Sequence, residues 1–160
     1  MIFVVDCMLG KLAKWLRVLG FDAAYFPRAE DDKLLRLAQK EGRAVLTRDT
    51  GLAAKAGGVR CLLIRSQRWE DQVRQVLDEF RIREEIVLYS RCINCNARLK
   101  PIPKENARNL VPPFVYERNK EFSICPSCGR VYWPGTHFQG MGSRLEHILG
   151  VKAEGNETNS

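Results

Sequence analysis

The sequence predicts an α/β fold with a parallel sheet, followed by a small cysteine-bearing module. Three observations lead to this prediction. Short apolar runs alternate with stretches of helical period as far as residue 88. Six of the seven prolines lie beyond residue 91, and two Cys-x-x-Cys pairs occur in that same part. Strands that alternate with helices of ordinary length are typical of a parallel sheet joined by crossover connections.

Four apolar runs are the predicted strands. Each is short, is bounded by charged or turn-forming residues, and resembles the buried strands of a parallel sheet in composition. The predicted strands are residues 2–5, 22–26, 43–47 and 59–65.

Three amphipathic stretches connect these strands. The first runs from Leu9 to a stop at Gly20, with leucines and an alanine on one face. The second begins at Asp31 or Asp32, either of which can act as its N-cap, and ends at Gly42. The third covers residues 69–80.

Beyond the third helix the sequence changes character, and one further helix is predicted over residues 143–149. The last residues are polar and have the composition of a disordered tail. The predicted organisation is therefore a first domain over 1–88, a second module over 89–150 and a tail over 151–160.

Composition excludes several classes of protein. The chain has 160 residues, of which 45% are hydrophobic and 28% charged, as in ordinary globular proteins. No apolar stretch approaches the roughly 18–20 residues that cross a bilayer, and the opening residues are too short for a signal-peptide core. We therefore expect a cytoplasmic protein with no membrane partner.

The chain carries a net charge of +7 and has a pI near 9.3. Such a balance favours polyanionic partners, although a basic surface without such a role has the same composition. The basic excess is denser beyond residue 90, and the acidic side chains concentrate before it. This distribution is suited to an enzyme that holds both phosphates and a metal.

Four cysteines form two knuckle-like pairs, each in a turn-forming context. Two such pairs have the composition of a closed tetrahedral zinc site, whereas redox use or disulfides fit this context poorly. Zinc can organise a segment that has too few apolar residues to fold by burial alone. The predicted structural zinc ligands are Cys92, Cys95, Cys125 and Cys128. The other two cysteines, Cys7 and Cys61, are expected to be buried and inert.

Aspartates occur where predicted strands end and helices begin. Asp6 ends the first strand, Asp31 and Asp32 begin the second helix, and Asp49 ends the third strand. In a parallel sheet these points meet at one edge, where carboxylates repel each other unless cations neutralise them. Oxygen ligands of this kind suit Mg²⁺ or Mn²⁺, which activate water in phosphodiester hydrolysis. Each acid taken alone is equally well read as a cap or turn residue.

Three segments in this order resemble the Mut-seven C-terminal ribonuclease domain family. They are "VVDCMLGKLAKWLRVLGFDAAYF", "DDKLLRLAQKEGRAVLTRD" and, after a Cys-x-x-Cys pair, "CPSCGRVYWPGTHFQGM". The resemblance covers about residues 2–148. It implies a PIN-like fold joined to a zinc ribbon, and a metal-dependent nuclease acting on RNA. The acids at the matching positions are Asp6, Asp31 and Asp49, with Asp32 as a neighbour.

The sequence departs from the family pattern at one position. PIN-type sites often include a fourth acid after a later strand, where this chain has Arg65. Glu70 and Asp71 follow a few residues on, so the occupancy of a second metal is open.

Basic and aromatic side chains supply the candidate RNA contacts. Arg48 can contact a phosphate or pair with an acid, and Trp133 can stack on a base or pack internally. His137 can be a spare metal ligand, a stacking group or a buried hydrogen-bonding residue. The candidates are Lys11, Lys14, Arg17, Arg48, Arg130, Trp133 and His137.

The leading hypothesis is a PIN-like ribonuclease whose zinc ribbon helps to hold RNA. The alternative is a non-catalytic RNA-binding or ribosome-associated adaptor, and a toxin of a toxin–antitoxin pair is a third reading. The RNA substrate, endo- or exonucleolytic cleavage and the oligomeric state are left open by the sequence.

Overall fold

The computed structural model describes residues 1–134 and 144–150, which fall into two compact units. The first unit comprises residues 1–100 and 124–130, and the second holds 101–123 and those from 131 onward. Both cysteine pairs therefore belong to the unit that contains the parallel sheet, although the sequence suggests a boundary at residue 88. The candidate His137 and the expected tail over 151–160 lie outside the described residues.

The first unit is built on a four-stranded parallel sheet with the strand order β2-β1-β3-β4. Parallel pairing joins β1 to β2, β1 to β3, and β3 to β4. The strands are β1 (Ile2–Val5), β2 (Asp22–Tyr25), β3 (Ala44–Thr47) and β4 (Cys61–Leu63). The predicted α/β class and parallel sheet are confirmed, and the fourth strand is shorter than its apolar run.

Helices flank this sheet on both faces. They are α1 (Gly10–Val18), α2 (Asp31–Glu41), α3 (Thr50–Lys55) and α4 (Trp69–Phe80). Leu34 of α2 and Leu52 of α3 pack in one core cluster with Val4 and Val45 of the sheet. On the opposite face, the ring of Phe3 contacts Phe80 of α4.

Two helix starts differ from expectation. The N-cap of α2 is Glu30, not Asp31 or Asp32, and its side chain makes no capping hydrogen bond. Helix α3 was not predicted, because its six residues are too few to show a helical period. The C-terminal stop of α2 at Gly42 is confirmed, since this glycine has a left-handed φ of 67°.

The second unit is small and has its own apolar cluster of Ala107, Val111, Val115 and Phe122. Its three-stranded sheet has the order β5-β6-β7. The elements are β5 (Lys100–Ile102), α5 (Lys104–Ala107), α6 (Pro113–Arg118), β6 (Phe122–Ile124) and β7 (Val131–Tyr132). A last helix, α7, covers residues 144–149, close to its prediction. Among the described helices, none has the length and apolarity needed to cross a bilayer.

Candidate active site and metal centre

Asp6 follows β1 directly and is the most buried acid of the carboxylate edge, with 6% of its surface exposed. One carboxylate oxygen accepts a hydrogen bond from the Cys7 N–H at 2.7 Å, and the other accepts from the Thr47 hydroxyl at 2.7 Å. Within residues 1–134 and 144–150, no basic side chain forms an ion pair with Asp6. The sheet therefore holds a buried carboxylate that has donors but no counter-cation.

Thr47, the last residue of β3, connects two of the predicted acids. Its hydroxyl donates to Asp6 and accepts from the backbone N–H of Asp49 at 2.9 Å. Because β1 and β3 are adjacent and parallel, their ends lie side by side, and the buried hydroxyl fixes both acidic segments in one hydrogen-bonded chain.

Asp49 has a structural role that the structure makes explicit. One of its oxygens, Oδ1, accepts from the N–H groups of Gly51 at 2.7 Å and Leu52 at 3.3 Å, so Asp49 is the N-cap of α3. A Cβ at Gly51 would lie 3.1 Å from this oxygen, and glycine leaves it room. The Oδ2 atom makes no hydrogen bond within the described part of the chain, so Asp49 can act as a cap and a ligand together.

Asp31 and Asp32 are less engaged with this edge. Asp31 lies in the first turn of α2, and its carboxylate is 3.9 Å from the amine of Lys55, with both groups well exposed. Asp32 is exposed. Among the described residues, no three carboxylates lie close enough to form a ready metal-binding group. The structure thus links the Asp6 carboxylate through the Thr47 hydroxyl to the backbone of Asp49, and it shows no such link for Asp31 or Asp32 among the described residues.

The family pattern often has a fourth acid where this chain has Arg65, and the nearby Asp71 is already engaged by other side chains. Arg65 is exposed and pairs with Glu79 at 3.4 Å. Asp71 accepts from Ser66 at 3.1 Å and pairs with Arg74 at 3.2 Å. These contacts hold the start of α4 in place.

The four predicted zinc ligands meet at one point, and all four sulfur atoms lie within 4.8 Å of one another. The Sγ atoms of Cys92 and Cys128 are 3.6 Å apart, and those of Cys95 and Cys125 are 3.2 Å apart. A tetrahedral zinc site with Zn–S bonds of about 2.3 Å requires S···S separations of about 3.8 Å. The tetrad therefore fits zinc, and its four thiolates leave no open coordination position.

The two cysteine turns have the same backbone design. Cys92 donates its N–H to Ala97 and accepts at its carbonyl from Asn96. Cys125 likewise donates to Arg130 and accepts from Gly129. Asn96 and Gly129 both have left-handed backbones, with φ of 71° and 76°. The first cysteine of each pair is fully buried, and the same pattern of backbone hydrogen bonds closes both turns.

Arg17 fastens the first cysteine turn to α1. It is only 7% exposed, and its guanidinium donates to the carbonyls of Ala23 at 2.9 Å, Ile93 at 2.9 Å and Asn94 at 3.2 Å. Arg17, a candidate RNA contact, is therefore buried and bound to carbonyls of its own chain. Arg17 lies next to the cysteine turn, and the helical period of α1 gives no information about that neighbour.

Asn96 fastens the same turn to the edge strand β2. Its side-chain oxygen accepts from the Ala23 N–H at 3.0 Å, and its amide donates to Asp22 at 2.7 Å. Asp22 also pairs with Arg43 at 2.6 Å. Burial alone would raise the pKa of Asp22, but the hydrogen bonds from Arg43 and Asn96 outweigh it and lower the pKa below its ordinary value.

The remaining basic candidates differ in their surroundings. Lys11 and Lys14 of α1 are exposed, and the Lys11 amine lies 5.5 Å from the centre of the Trp69 ring. The Nε atom of Arg48 is buried and has no hydrogen-bond partner within the described chain, so the ion pair considered for Arg48 is not formed there.

Arg130 and Trp133 belong to different units. Arg130 is exposed beside the second cysteine turn in the first unit. Trp133 is partly buried and packs against the apolar cluster of the second unit. Trp133 therefore has a packing role within its own unit, whatever else it contacts.

Sequence reasoning missed Thr47 and Asn96, and it misjudged Cys7. The signal for Thr47 was a hydroxyl directly before "RD" at the end of a strand, and the signal for Asn96 was a left-handed-tolerant residue directly after a cysteine pair. Cys7 is exposed, not buried, because it begins the turn after β1. Burial, followed by the negative charge of Asp6, raises the pKa of the half-buried Cys61 thiol.

Comparison with known proteins places this geometry in context. A family model described as "Mut7-C RNAse domain" matches residues 1–145. The human protein named "Exonuclease mut-7 homolog" is 37% identical over 99 residues, which cover 58% of this chain and 11% of the human protein. The chain thus spans about a tenth of the length of this relative. No solved structure matches it significantly.

Proposed function

The chain belongs to the Mut7-C RNase domain family, and from that membership we propose that it is a metal-dependent ribonuclease whose site is the edge formed by Asp6 and Asp49. Membership identifies a nuclease family. The choice of residues rests on the geometry of the sheet.

One observation carries the proposal. Asp6 is a buried carboxylate with no basic partner among residues 1–134 and 144–150, and it is joined through the Thr47 hydroxyl to the segment that carries Asp49. A buried charge without a counter-ion is costly unless a cation neutralises it. Mg²⁺ and Mn²⁺ prefer carboxylate oxygens, so the donor set fits such an ion. Asp6 and the Oδ2 atom of Asp49 would hold it, with Asp31 as the next acid along the edge.

A bound Mg²⁺ or Mn²⁺ would lower the pKa of a water molecule bound to it and would offset the negative charge that develops on the phosphate. The residues of the chain would hold the two carboxylates in position. Thr47 fixes the Asp6 carboxylate by donating to one oxygen, and the α3 cap holds Asp49 in one rotamer. In this arrangement the carboxylates would bind the ion and orient the water that it activates.

Arg48 supports the assignment of a phosphate-bearing substrate. Its Nε–H is buried without an acceptor in the described chain and lies next to Asp49 in sequence. An unsatisfied buried donor costs about 1–3 kcal/mol. Because Nε has no solvent-accessible surface, a phosphate oxygen would satisfy it after the half-buried side chain moves. Lys11, Lys14 and Arg130 are exposed cations that would add affinity without sequence preference.

The cysteine tetrad has a structural role in this proposal. Four thiolates close the coordination shell of zinc, so it offers no position for water or substrate. Trp133 and His137 are the proposed RNA contacts that follow the second cysteine pair.

Labelled RNA incubated with Mg²⁺, Mn²⁺ or no added divalent ion tests the function. Zinc content is measured in every sample, so that loss of the structural ion is not mistaken for loss of the catalytic one. We expect cleavage only with the added ion. Because the human relative is named an exonuclease, circular and linear RNA of one sequence would separate cleavage from an end and internal cleavage.

Asp6→Asn tests the site itself. Removing the charge while keeping the shape should lower cleavage by roughly 100-fold or more, since metal stabilisation contributes several kcal/mol. Asp78→Asn is the matched control, because Asp78 is exposed on α4 and pairs with Arg83 at 2.8 Å. Full activity in Asp6→Asn would remove this edge from the mechanism.

A non-catalytic RNA-binding adaptor is the second candidate, and one observation favours it. Among the described residues, no third carboxylate lies close enough to complete a metal-binding group. The adaptor predicts RNA affinity that falls steeply with salt and no turnover with any ion.

A further inference from the structure

We propose that Tyr25 is a positioning residue for Asp6, which it holds in place through the turn that follows the acid. In this role Tyr25 contacts neither the ion nor the RNA, and it acts through Cys7. The inference rests on the proposed ribonuclease function and adds a residue to its site.

Asp6 lies at the end of a strand that has a neighbour on each side, β2 and β3. On the β3 side, the Thr47 hydroxyl donates to Oδ2 of Asp6 at 2.7 Å, and the Leu46 carbonyl accepts from the Asp6 N–H at 2.9 Å. On the β2 side, Tyr25 pairs with Val5 in the parallel ladder. Tyr25 therefore lies beside the strand end that Asp6 follows.

The phenol of Tyr25 reaches from β2 to the turn after β1. Its O–H donates to the Cys7 carbonyl at 2.7 Å, and the Cys7 N–H donates to Oδ1 of Asp6 at 2.7 Å. Only the φ and ψ rotations of Cys7 separate these two backbone groups, because the peptide planes themselves are rigid. Fixing the carbonyl therefore limits the directions in which the N–H can point, and it keeps the N–H on the carboxylate.

Glycine at position 10 makes room for this phenol. A Cβ there would lie 2.8 Å from the Tyr25 hydroxyl oxygen and 3.1 Å from the ring carbon that bears it. The φ of Gly10 is −58°, which any residue adopts, so glycine is needed here for the close approach of the phenol. A side chain at position 10 would displace the hydroxyl from the Cys7 carbonyl.

The two supports leave Asp6 able to bind a cation. A carboxylate oxygen has two lone pairs, and each oxygen of Asp6 accepts one hydrogen bond from the described residues. Each oxygen thus keeps an acceptor position, while donors on both oxygens fix the plane of the carboxylate. Loss of such outer contacts to a metal ligand typically lowers metal affinity or activity by about 10–100-fold.

The first test uses the zinc-loaded chain without added Mg²⁺ or Mn²⁺. The chemical shift of the Cys7 amide proton, measured by NMR, reports its short hydrogen bond to the carboxylate. We expect Tyr25→Phe to move this resonance upfield, since the variant keeps the ring and loses only the hydroxyl. Tyr116→Phe removes a hydroxyl in the second unit and is the matched control, for which we expect no shift.

The second test measures Mn²⁺ binding to the zinc-loaded chain from the electron paramagnetic resonance signal of the free ion. We expect Tyr25→Phe to weaken binding about tenfold and Tyr116→Phe to leave it unchanged, with Asp6→Asn marking loss of the site. Cleavage by Tyr25→Phe should fall at low Mn²⁺ and return to the native maximum at saturating Mn²⁺. A loss of folded protein would not be restored in this way.

Gly10→Ala disturbs the same contact from its other end. We expect it to weaken Mn²⁺ binding by an amount similar to Tyr25→Phe, because the added methyl group displaces the hydroxyl. The double variant should lose little more than either single variant, since both changes remove one and the same hydrogen bond.

Three results would overturn the role of Tyr25: an unchanged Cys7 resonance in Tyr25→Phe, an unchanged Mn²⁺ affinity, or additive losses in the double variant. If the native chain binds Mn²⁺ and cleaves RNA and Tyr25→Phe does so equally at every ion concentration, Tyr25 alone is removed from the site. If the native chain does neither, the ribonuclease proposal fails, and the Cys7 resonance then decides by itself whether Tyr25 holds Asp6.

Discussion

The cysteine tetrad and the carboxylate edge are both predicted sites, yet the fold prepares them in different ways. All four sulfur atoms lie within 4.8 Å of one another, close to tetrahedral separations. At the sheet edge, the Thr47 hydroxyl joins the Asp6 carboxylate to the backbone of Asp49, and Asp31 lies near Lys55. One site has four sulfur atoms in place, and the other has one buried carboxylate and neighbours that also perform structural work.

The difference is the one that the two proposed roles require. A structural metal contributes folding free energy, so its ligands gain from being assembled in short rigid turns. A catalytic ion exchanges water and binds together with substrate phosphates, so a site for it keeps few protein ligands. The comparison therefore predicts large stability effects at the tetrad and large activity effects with small stability effects at the edge.

The largest effect is expected for Cys92→Ser. Structural zinc sites in small peptides contribute about 10–16 kcal/mol of apparent binding free energy at neutral pH, so loss of one buried thiolate should remove zinc and unfold the first unit. Zinc content by elemental analysis and thermal unfolding by circular dichroism measure this. Cys61→Ser is the control, and an unchanged melting temperature in a zinc-free Cys92→Ser protein would contradict the comparison.

Arg17→Met should have the next largest effect. The methionine keeps an apolar stem but removes three hydrogen bonds to backbone carbonyls, with an expected loss of about 3 kcal/mol. Denaturant unfolding measures it, with Lys14→Met on the exposed face of the same helix as control. Equal stability of the two variants would show that the cysteine turn does not brace α1.

Thr47→Val would sharpen the comparison at the edge. The substitution keeps the shape but leaves Asp6 and the Asp49 N–H without the hydroxyl, at a cost of about 1–3 kcal/mol. Cleavage should fall by about 10–100-fold, as for lost second-layer contacts to metal ligands. Thr47→Ser should restore much of both, and a Thr47→Val protein with normal cleavage would argue against the Asp6 site.

The smallest stability effect is expected at Asp49, where two substitutions separate its two roles. Asp49→Ala removes the cap of α3 and should cost about 1 kcal/mol, whereas Asp49→Asn keeps an equally good cap. Both should lose cleavage if the Oδ2 atom binds the ion. Cleavage that follows stability, with Asn active and Ala impaired, would leave Asp49 with the capping role alone.

How far apart two cooperating residues lie along the chain decided whether their partnership could be predicted from the sequence. The cysteine pairs were readable because each turn is a local motif, and two of them suffice for a tetrahedral ion. The parallel sheet followed from apolar runs that alternate with helical periods. The partnership of Asp6 with Thr47 was not readable, because it depends on strand register between β1 and β3.

Arg17 illustrates the same limit in the other direction. Its position on α1 places it away from the leucines, which predicts an exposed side chain. The carbonyls that bury it come from residues 93 and 94, more than seventy positions away. Helical periodicity describes one helix alone and cannot predict a neighbour that is distant in sequence.

The position of the tetrad along the chain has a consequence for engineering. Two of the cysteines precede residues 101–123 and two follow them, so a metal bound there would hold the entry and exit of that segment close together. Loop closure depends only weakly on length. The segment also carries the apolar cluster of the second unit, so exchanging it for a foreign recognition element would replace that cluster and leave the acids and the four cysteines of the first unit in the chain.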